Sequence, residues 1–116
     1  MSILAMKRKE IPTLLDRIQA ELAANLADED YDITALCKAL HLSRMHLHRK
    51  LKALTGKSTS AFINTYKLNA AQALLKDSDL AVSEIAYRVG YKTPSYFTQM
   101  FVKEFGLSPS EFRKQG

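Results

Sequence analysis

One stretch of the chain places four side chains suited to nucleic-acid binding on a single helical face. The spacing i, i+3, i+4, i+7 groups on that face Met45, His48, Arg49 and Lys52. About fifty residues later, a second helical face carries Ser95, Thr98 and Gln99. In the major groove, arginine can pair with guanine through two hydrogen bonds, and glutamine can pair in the same way with adenine. The pattern predicts two candidate recognition helices.

The histidines and the cysteine raise the alternative of a metal site. His46 and His48 are two residues apart on a predicted helix and therefore point to different faces. His41 occupies a turn position, and Cys37 lies on an apolar helix face. No glycine-rich loop, carboxylate pair or nucleophile elbow accompanies the serines and histidines. We therefore expect no metal, no cofactor and no enzymatic activity.

The two candidate helices belong to an internal repeat. Residues 33–64 align with residues 82–114 when one extra residue is allowed near Pro94. The aligned pairs are Leu36 with Ile85, Leu40 with Val89, Leu47 with Phe97, Leu51 with Phe101, Gly56 with Gly106, Ser58 with Ser108, and Phe62 with Phe112. A period of this size is typical of a duplicated supersecondary unit. Each copy is predicted to contain a short helix, a tight turn, a longer helix and a glycine stop.

Helical periodicity and capping residues predict where the elements begin and end. The predicted helices are 11–26, 35–40 with Thr34 as cap, 44–55 with Ser43 as cap, 58–76, 84–89 with Ser83 as cap, 94–105 with Thr93 as cap, and a last helix opened by Ser108 and Glu111 as a capping box. The predicted inner stripes are Leu47, Leu51 and Leu54 in the first copy and Phe97, Phe101 and Phe105 in the second.

These elements predict an all-α fold of about seven helices, with two helix-turn-helix lobes joined by a long linker helix. The predicted divisions are a linker or start region over 1–10, a first lobe over 11–57, the linker helix over 58–77 and a second lobe over 78–116. A linker of about eighteen residues is about 27 Å long. Together with the width of the lobes, that length suits two helices in adjacent major grooves, about 34 Å apart.

Charge is unevenly distributed along the 116 residues, whose formal net charge is +5. No aspartate or glutamate lies between Ile33 and Lys76, and eight basic residues give that stretch a charge of +8. Residues 1–32 carry −3, and residues 77–116 are neutral. A block of one sign around one helical unit indicates a polyanionic partner, with nucleic acid the first candidate and an anionic membrane the second.

Composition narrows the class of protein. A hydrophobic content of 47% is enough for a folded core. A single cysteine excludes an internal disulfide framework and fits a reducing cytosol. No run of about eighteen apolar residues is present. The basic cluster comes after the apolar first residues, whereas in a signal peptide the basic residues come before the apolar segment. We therefore expect a cytoplasmic protein whose module makes no membrane contact.

The second copy closely resembles the AraC/XylS signature. The residues that carry this resemblance are Val82, Ser83, Glu84, Ile85, Ala86, Val89, Gly90, Tyr91, Ser95, Tyr96, Phe97, Phe101, Lys103, Phe105, Gly106, Ser108, Pro109, Phe112 and Arg113. The first copy resembles the family's first half, and its run 49–56 also resembles the output domain of hybrid two-component sensors. The resemblance covers roughly residues 30–114. It implies the DNA-binding module of a bacterial transcription regulator that engages one asymmetric site with both lobes.

The resemblance also implies roles for individual residues. The base-reading positions fall on Met45, His48, Arg49, Ser95, Tyr96, Thr98 and Gln99. The expected backbone contacts are Ser43, Arg44, Lys50, Lys52, Lys57, Lys92 and Thr93. The family often has arginine where this chain has Gln99, and residues 77–116 carry no net charge. We therefore expect the first lobe to dominate affinity, while the second reads fewer bases or contacts RNA polymerase.

A second class of function stays open, because helix-turn-helix folds also serve as protein-binding modules. The acidic first helix and the second lobe, where residues 77–116 carry no net charge, could form a surface for such a partner. The resemblance further implies a sensing or dimerisation domain outside these residues. The slope of log affinity against log salt separates the two classes, because it falls by about 0.9 for each phosphate contact.

Overall fold

The computed structural model describes residues 13–115, which form seven helices and no strand. The helices are α1 (Leu14–Ala24), α2 (Ile33–Leu40), α3 (Arg44–Thr55), α4 (Thr59–Asp77), α5 (Val82–Arg88), α6 (Pro94–Phe105) and α7 (Pro109–Gln115). The predicted all-α architecture with two helix-turn-helix units is confirmed. The expected linker or start region over 1–10 lies outside the described residues.

The first lobe is built around the aliphatic faces of α1, α2 and α3. Its buried core consists of Ile18, Leu22, Leu36, Cys37, Leu40, Leu47 and Leu51. The first half of α4 closes this core with Phe62, Ile63 and Tyr66. Cys37 is buried here as a small apolar residue, as the sequence predicted.

The second lobe takes its first wall from the other half of α4. Its buried core consists of Leu68, Ala71, Leu75, Ile85, Ala86, Val89, Tyr91, Phe97 and Phe101. Helix α4 has 19 residues and is therefore about 28 Å long. Because its two halves pack into different lobes, α4 is a structural element of both lobes as well as the connection between them.

Short polar residues begin the helices that matter most for the site. The hydroxyl of Ser43 accepts a hydrogen bond from the amide of His46 at 3.1 Å, and Ser58 and Thr93 cap α4 and α6 in the same way. Ser108 and Glu111 form the predicted capping box. Helices α3 and α6 both end at a glycine in the left-handed region, with φ of 75° and 80°.

The first helix is shorter than the predicted range of 11–26. Thr13 caps it through a reciprocal bond with Asp16. The helix ends at Ala24, and at its C-cap both the backbone and the side chain of Asn25 bond to the carbonyl of Glu21. Leu26 continues the apolar periodicity but lies beyond the helix and packs against the second lobe. Residues 11 and 12 lie outside the described part of the chain.

Two predicted caps were wrong. Helix α2 is capped by Asp32, whose carboxylate accepts from the amide of Ala35 at 2.9 Å, and Thr34 lies in its first turn. Helix α5 begins at Val82 after Ala81, which makes no side-chain cap bond, so Ser83 is inside the helix and the helix ends at Arg88. Val82 packs against the core of the second lobe as the first residue of α5. The helix therefore begins two residues before the start that Ser83 as a cap predicts.

The inner stripe of α3 was also partly wrong. Leu54 is 59% exposed, whereas Thr55 is half-buried and donates its hydroxyl to the carbonyl of Leu51. The inner positions therefore follow i, i+4, i+8 through Leu47, Leu51 and Thr55. Phe97, Phe101 and Phe105 follow the same register in α6, so the repeat itself contained the correct assignment.

Candidate nucleic-acid interface

Helix α3 has one buried side and one open side. Leu47 and Leu51 are fully buried on the inside. On the other side Met45 is 64% exposed, and His48, Arg49 and Lys52 are exposed as predicted. Arg49 Nη2 lies 3.3 Å from Met45 Sδ, one turn earlier on the helix. Met45 is therefore a surface residue and does not fill a gap in the core.

Helix α6 repeats this division with an aromatic inner side. Thr93 accepts the amide of Tyr96 at 3.1 Å, and Pro94 occupies the first turn, where its missing N–H costs nothing. Of the four residues expected to read bases, Ser95, Tyr96 and Gln99 are exposed, and Thr98 is half-buried. The outer side of α6 is therefore polar but uncharged over its first two turns.

The first-lobe residues expected to contact the DNA backbone lie at the start of α3, along it and just after it. Arg44 Nη2 donates to the hydroxyl of Thr34 at 2.6 Å, which holds the guanidinium beside the start of α2. Arg44 and His48 share a shallow groove with Ser58, at the start of α4. Lys50 and Lys52 are exposed on α3, and Lys57 is half-buried after it. The first lobe thus places Arg44 beside the starts of α2 and α4, and its lysines farther along α3 and after it.

The second lobe has fewer free cations at the equivalent place. Lys92 is exposed, but its Nζ lies 3.9 Å from a carboxylate oxygen of Asp30, in the acidic loop between α1 and α2. The neighbouring Thr93 uses its hydroxyl as the α6 cap. Folding therefore brings the acidic loop between α1 and α2 next to the turn between α5 and α6. Charge counts along the sequence do not indicate this proximity.

A cleft of about 930 Å³ lies between the two lobes. It brings together Lys57, Lys92, Thr93 and Tyr96, four of the residues expected to contact DNA. Sequence reasoning assigned no role to two further cations of this cleft, Lys67 and Lys103, or to Asn64 and Tyr91. The acidic side chains Glu29, Asp32 and Glu104 also line it. The cleft is thus of mixed charge, unlike the outer face of α3.

Residues 13–115 contain neither a cluster of metal ligands nor a membrane-spanning helix. Over that range, no three side chains of histidine, cysteine, aspartate or glutamate are grouped so that they could hold a metal ion. No helix in the same range combines the length and the apolar character needed to cross a membrane.

Residues 36–115 match a family model described as a helix-turn-helix domain. That segment begins within α2 and includes both recognition-helix candidates, α3 and α6. The chain belongs to the AraC/XylS-type helix-turn-helix family, a family of transcription-regulator DNA-binding domains.

Curated relatives of this AraC/XylS-type domain are much longer proteins. It is 36% identical over 91 residues to histidine kinase P4 of Formosa agariphila, covering 78% of this chain and 7% of that protein. It is 36% identical over 101 residues to the transcriptional activator RhaS of Escherichia coli, covering 86% of this chain and 36% of that protein. The chain thus spans little more than a third of RhaS and a small part of the kinase.

A solved AraC/XylS-type structure shares the fold. The DNA-binding domain of the global transcriptional factor AdpA, determined in complex with a target DNA, superposes with a TM-score of 0.78. It is 29% identical in sequence, and the match covers 87% of this chain and 90% of that domain.

Proposed function

We propose that this chain binds double-stranded DNA sequence-specifically, with α3 and α6 in adjacent major grooves, as the DNA-binding module of a bacterial transcription regulator. The observation that carries the proposal is the duplicated pair of helices, each with its apolar side buried and a polar side open to solvent. Family membership and the DNA complex of the related AdpA domain support it.

The first lobe reads its bases through Met45, His48 and Arg49 on α3. Arg49 is exposed, and its only described side-chain bond is the weak contact with Met45, so little has to be broken before it reaches guanine. Met45 supplies an apolar surface next to it, of the kind that can contact a thymine methyl group.

The second lobe reads its bases through Ser95, Tyr96, Thr98 and Gln99 on α6. Tyr96 is 53% exposed, so its ring is available at the start of the helix. Gln99 is exposed and is the residue of this set that can pair with adenine through two bonds. Because the outer side of α6 lacks charge over these turns, we assign it a smaller share of the affinity.

Contacts to the phosphate backbone come from both helix starts and from cations. Ser43 and Thr93 lie at the N-termini of α3 and α6, where free amides favour an anion. The cations in this set are Arg44, Lys50, Lys52, Lys57 and Lys92. Arg44 is bonded to Thr34, and Lys92 lies 3.9 Å from a carboxylate oxygen of Asp30 in a solvent-exposed ion pair of the kind that contributes little energy.

The dimensions of the molecule support binding by both lobes at once. Helix α4 is about 28 Å long, and the longest extent of the molecule is 47 Å. Adjacent major grooves on one side of a duplex are about 34 Å apart. Both lobes can therefore reach the same face of one duplex.

The extra length of the curated relatives supports a wider proposal, that a sensing or dimerisation domain acts together with this module. On that proposal the module is the output part of a regulator, in a two-component system or otherwise. RNA polymerase is the proposed protein partner of the second lobe.

Selection of bound sequences from a random duplex pool tests the proposal. The wild-type chain is expected to enrich one asymmetric site with two separated groups of preferred bases. Arg49→Ala is expected to erase the preference in one group, and Gln99→Ala in the other, since each side chain is assigned to one half. Arg88→Ala is the matched control, because Arg88 is exposed on α5 and pairs there with Glu84.

If the wild-type chain enriches no sequence, the proposed function is wrong. If it enriches a site that both alanine variants also select unchanged, the assigned contacts are wrong although DNA binding stands.

Protein binding is the second candidate function, and one observation favours it. Tyr87 is 50% exposed on α5, beside the Glu84–Arg88 ion pair and away from the inner residues of that helix. Salt dependence separates the two functions. The DNA proposal requires log affinity to fall by about 0.9 per phosphate contact for each unit of log salt. A flat response would favour the protein partner.

A further inference from the structure

We propose that five residues between the lobes form a latch that fixes the spacing at which the two recognition helices meet DNA. The interlobe latch consists of Leu26, Asn64, Lys67, Gly90 and Tyr91. The inference rests on the proposed function, because it concerns how the two lobes share one site. It assigns these residues a positioning role and does not place them on the bases.

The first part of the latch is a hydrogen bond from the second lobe to α4. Tyr91 is 5% exposed, and its hydroxyl donates to the side-chain oxygen of Asn64. Asn64 follows Ile63, and both lie in the half of α4 that packs against the first lobe. The bond therefore joins the turn of the second helix-turn-helix to the first lobe's side of the shared helix.

The second part is the ammonium group of Lys67. It donates to the carbonyl of Gly90 at 3.4 Å and lies 5.6 Å from the centre of the Tyr91 ring. Burial lowers the pKa of Lys67. The same turn is thus held from α4 by two side chains that lie about one helical turn apart.

The third part is the close contact at Gly90. Its φ is 89°, and a Cβ at this position would lie 2.5 Å from the carbonyl oxygen of Leu26. His41 occupies the same place in the first copy with φ of 57°, where it is exposed and carries a side chain. The left-handed backbone is therefore common to both copies, whereas the need for glycine arises from the first-lobe loop that packs against the second lobe.

The latch acts directly on the second recognition helix. Tyr91 comes two residues before the α6 cap, and its ring lies 6.0 Å from that of Tyr96 and 5.4 Å from that of Phe97. Whatever fixes the turn at Gly90 and Tyr91 therefore fixes the direction of α6 relative to the first lobe.

Fixed lobes imply selection for half-site spacing. One inserted base pair moves the second half-site by about 3.4 Å along the duplex and rotates it by about 34°. Latched lobes cannot follow this movement without breaking the contacts at Tyr91 and Lys67. A protein with a weakened latch follows it more easily and discriminates less between spacings.

The experiment measures dissociation constants on the selected site, on versions with one base pair inserted or deleted between the halves, and on a duplex with the first half only. For the wild-type chain, insertion is expected to weaken binding about tenfold, the size of one lost base contact. The spacing penalty is the ratio of the dissociation constant on the duplex with the insertion to that on the selected site. Tyr91→Phe and Asn64→Ala are each expected to reduce this ratio about fivefold, the effect of one hydrogen bond. Binding to the half-site duplex should be unchanged.

Tyr87→Phe is the matched control, because it removes a hydroxyl from an exposed tyrosine of the same lobe. Thermal unfolding of each variant checks that it is folded at the temperature of the binding measurements. The double variant Tyr91→Phe with Asn64→Ala should show the penalty of either single variant, since both remove one bond.

Two results would overturn the latch. One is a spacing penalty in Tyr91→Phe equal to that of the wild type. The other is an equal loss of affinity on every duplex, which would mean a structural role only. If the wild-type chain shows no preference among sequences, the proposed function itself fails, and this outcome is distinct from the other two.

Discussion

The two lobes have the same arrangement of helices but differ in the composition of their cores and in the net charge of their copies of the repeat. The first lobe has an aliphatic core, and its copy of the repeat, residues 33–64, carries six basic and no acidic residues, with Arg49 and Lys52 on its recognition helix. The second has an aromatic core, and its copy of the repeat, residues 82–114, carries five basic and three acidic residues. The duplicated unit has thus diverged toward charge in one copy and toward packing in the other.

Equivalent inner positions make this divergence concrete. Leu51 in the first lobe corresponds to Phe101 in the second, where its ring centre lies 4.7 Å from that of Phe105 and 5.7 Å from that of Phe112 in edge-to-face contacts. Such pairs are worth about 0.5 to 1.5 kcal/mol beyond the area they bury. The second lobe thus has stabilising contacts that Leu51 cannot make, while the first has the cations that attract a polyanion.

The largest expected difference between the copies concerns the left-handed residue of each turn. Gly90→Ala should lower the free energy of unfolding by about 2 to 5 kcal/mol, because a strained backbone adds to a clash with the carbonyl of Leu26. His41→Ala, at the equivalent position, should change it by less than about 0.5 kcal/mol. Urea unfolding of both variants checks the prediction. Equal losses would show that the contact between the lobes does not constrain Gly90.

The next difference concerns the base-reading residues. On the selected duplex, Arg49→Ala should cost about 2 to 3 kcal/mol of binding free energy, since a charged bidentate contact is lost. Gln99→Ala should cost about 1 to 2 kcal/mol, as expected for a neutral contact. Titrations at one fixed salt concentration measure both. A larger loss for Gln99→Ala would reverse the assignment of the first lobe as the main source of affinity.

The smallest difference concerns the helix starts. The amide and hydroxyl of Ser108 lower the pKa of Glu111, whereas the first copy has Ala61 at the equivalent position after Ser58. A lowered pKa means that the contribution to stability is complete above the unfolded glutamate pKa of about 4.3 and is lost as the pH falls through the folded value. The melting temperature of Glu111→Gln should therefore approach that of the wild type between pH 5 and about pH 3.

The control for this measurement is Ala61→Glu, which builds the same capping box in the first copy. Its stability should gain a small pH dependence of the same sign. If the difference between Glu111→Gln and the wild type does not change with pH, the Ser108 contact does not favour the charged carboxylate.

Much of the fold could be predicted because the signals were local. Ser43 and Thr93 cap the starts of their helices and Gly106 caps the end of α6, as expected, since capping depends on neighbouring residues. The predicted helix bounds at Leu26 and Val82 were wrong, and both residues pack against the core of the second lobe, a contact that local periodicity and capping do not indicate. The latch was missed because its contacts are long-range: Asn64 and Tyr91 are 27 residues apart, and the signature that includes Tyr91 does not indicate a partner for it.

The candidate site could be predicted as two exposed helical faces, but the side chains around it could not. The hydrogen bond between Arg44 and Thr34 and the pairing of Lys92 with Asp30 depend on how loops fold back onto the helices. Each of these two contacts involves a cation that is predicted to bind a phosphate, Arg44 in the first lobe and Lys92 in the second. The roles of the individual residues on DNA stay predictions.

Footprinting of major-groove guanines and adenines on the selected duplex tests the central claim most directly. If both lobes bind one site through α3 and α6, two unequal protected groups should appear about ten base pairs apart on the same face of the DNA. Arg49→Ala should remove protection in one group and leave the other. A single protected group, or two groups on opposite faces of the duplex, would contradict the account.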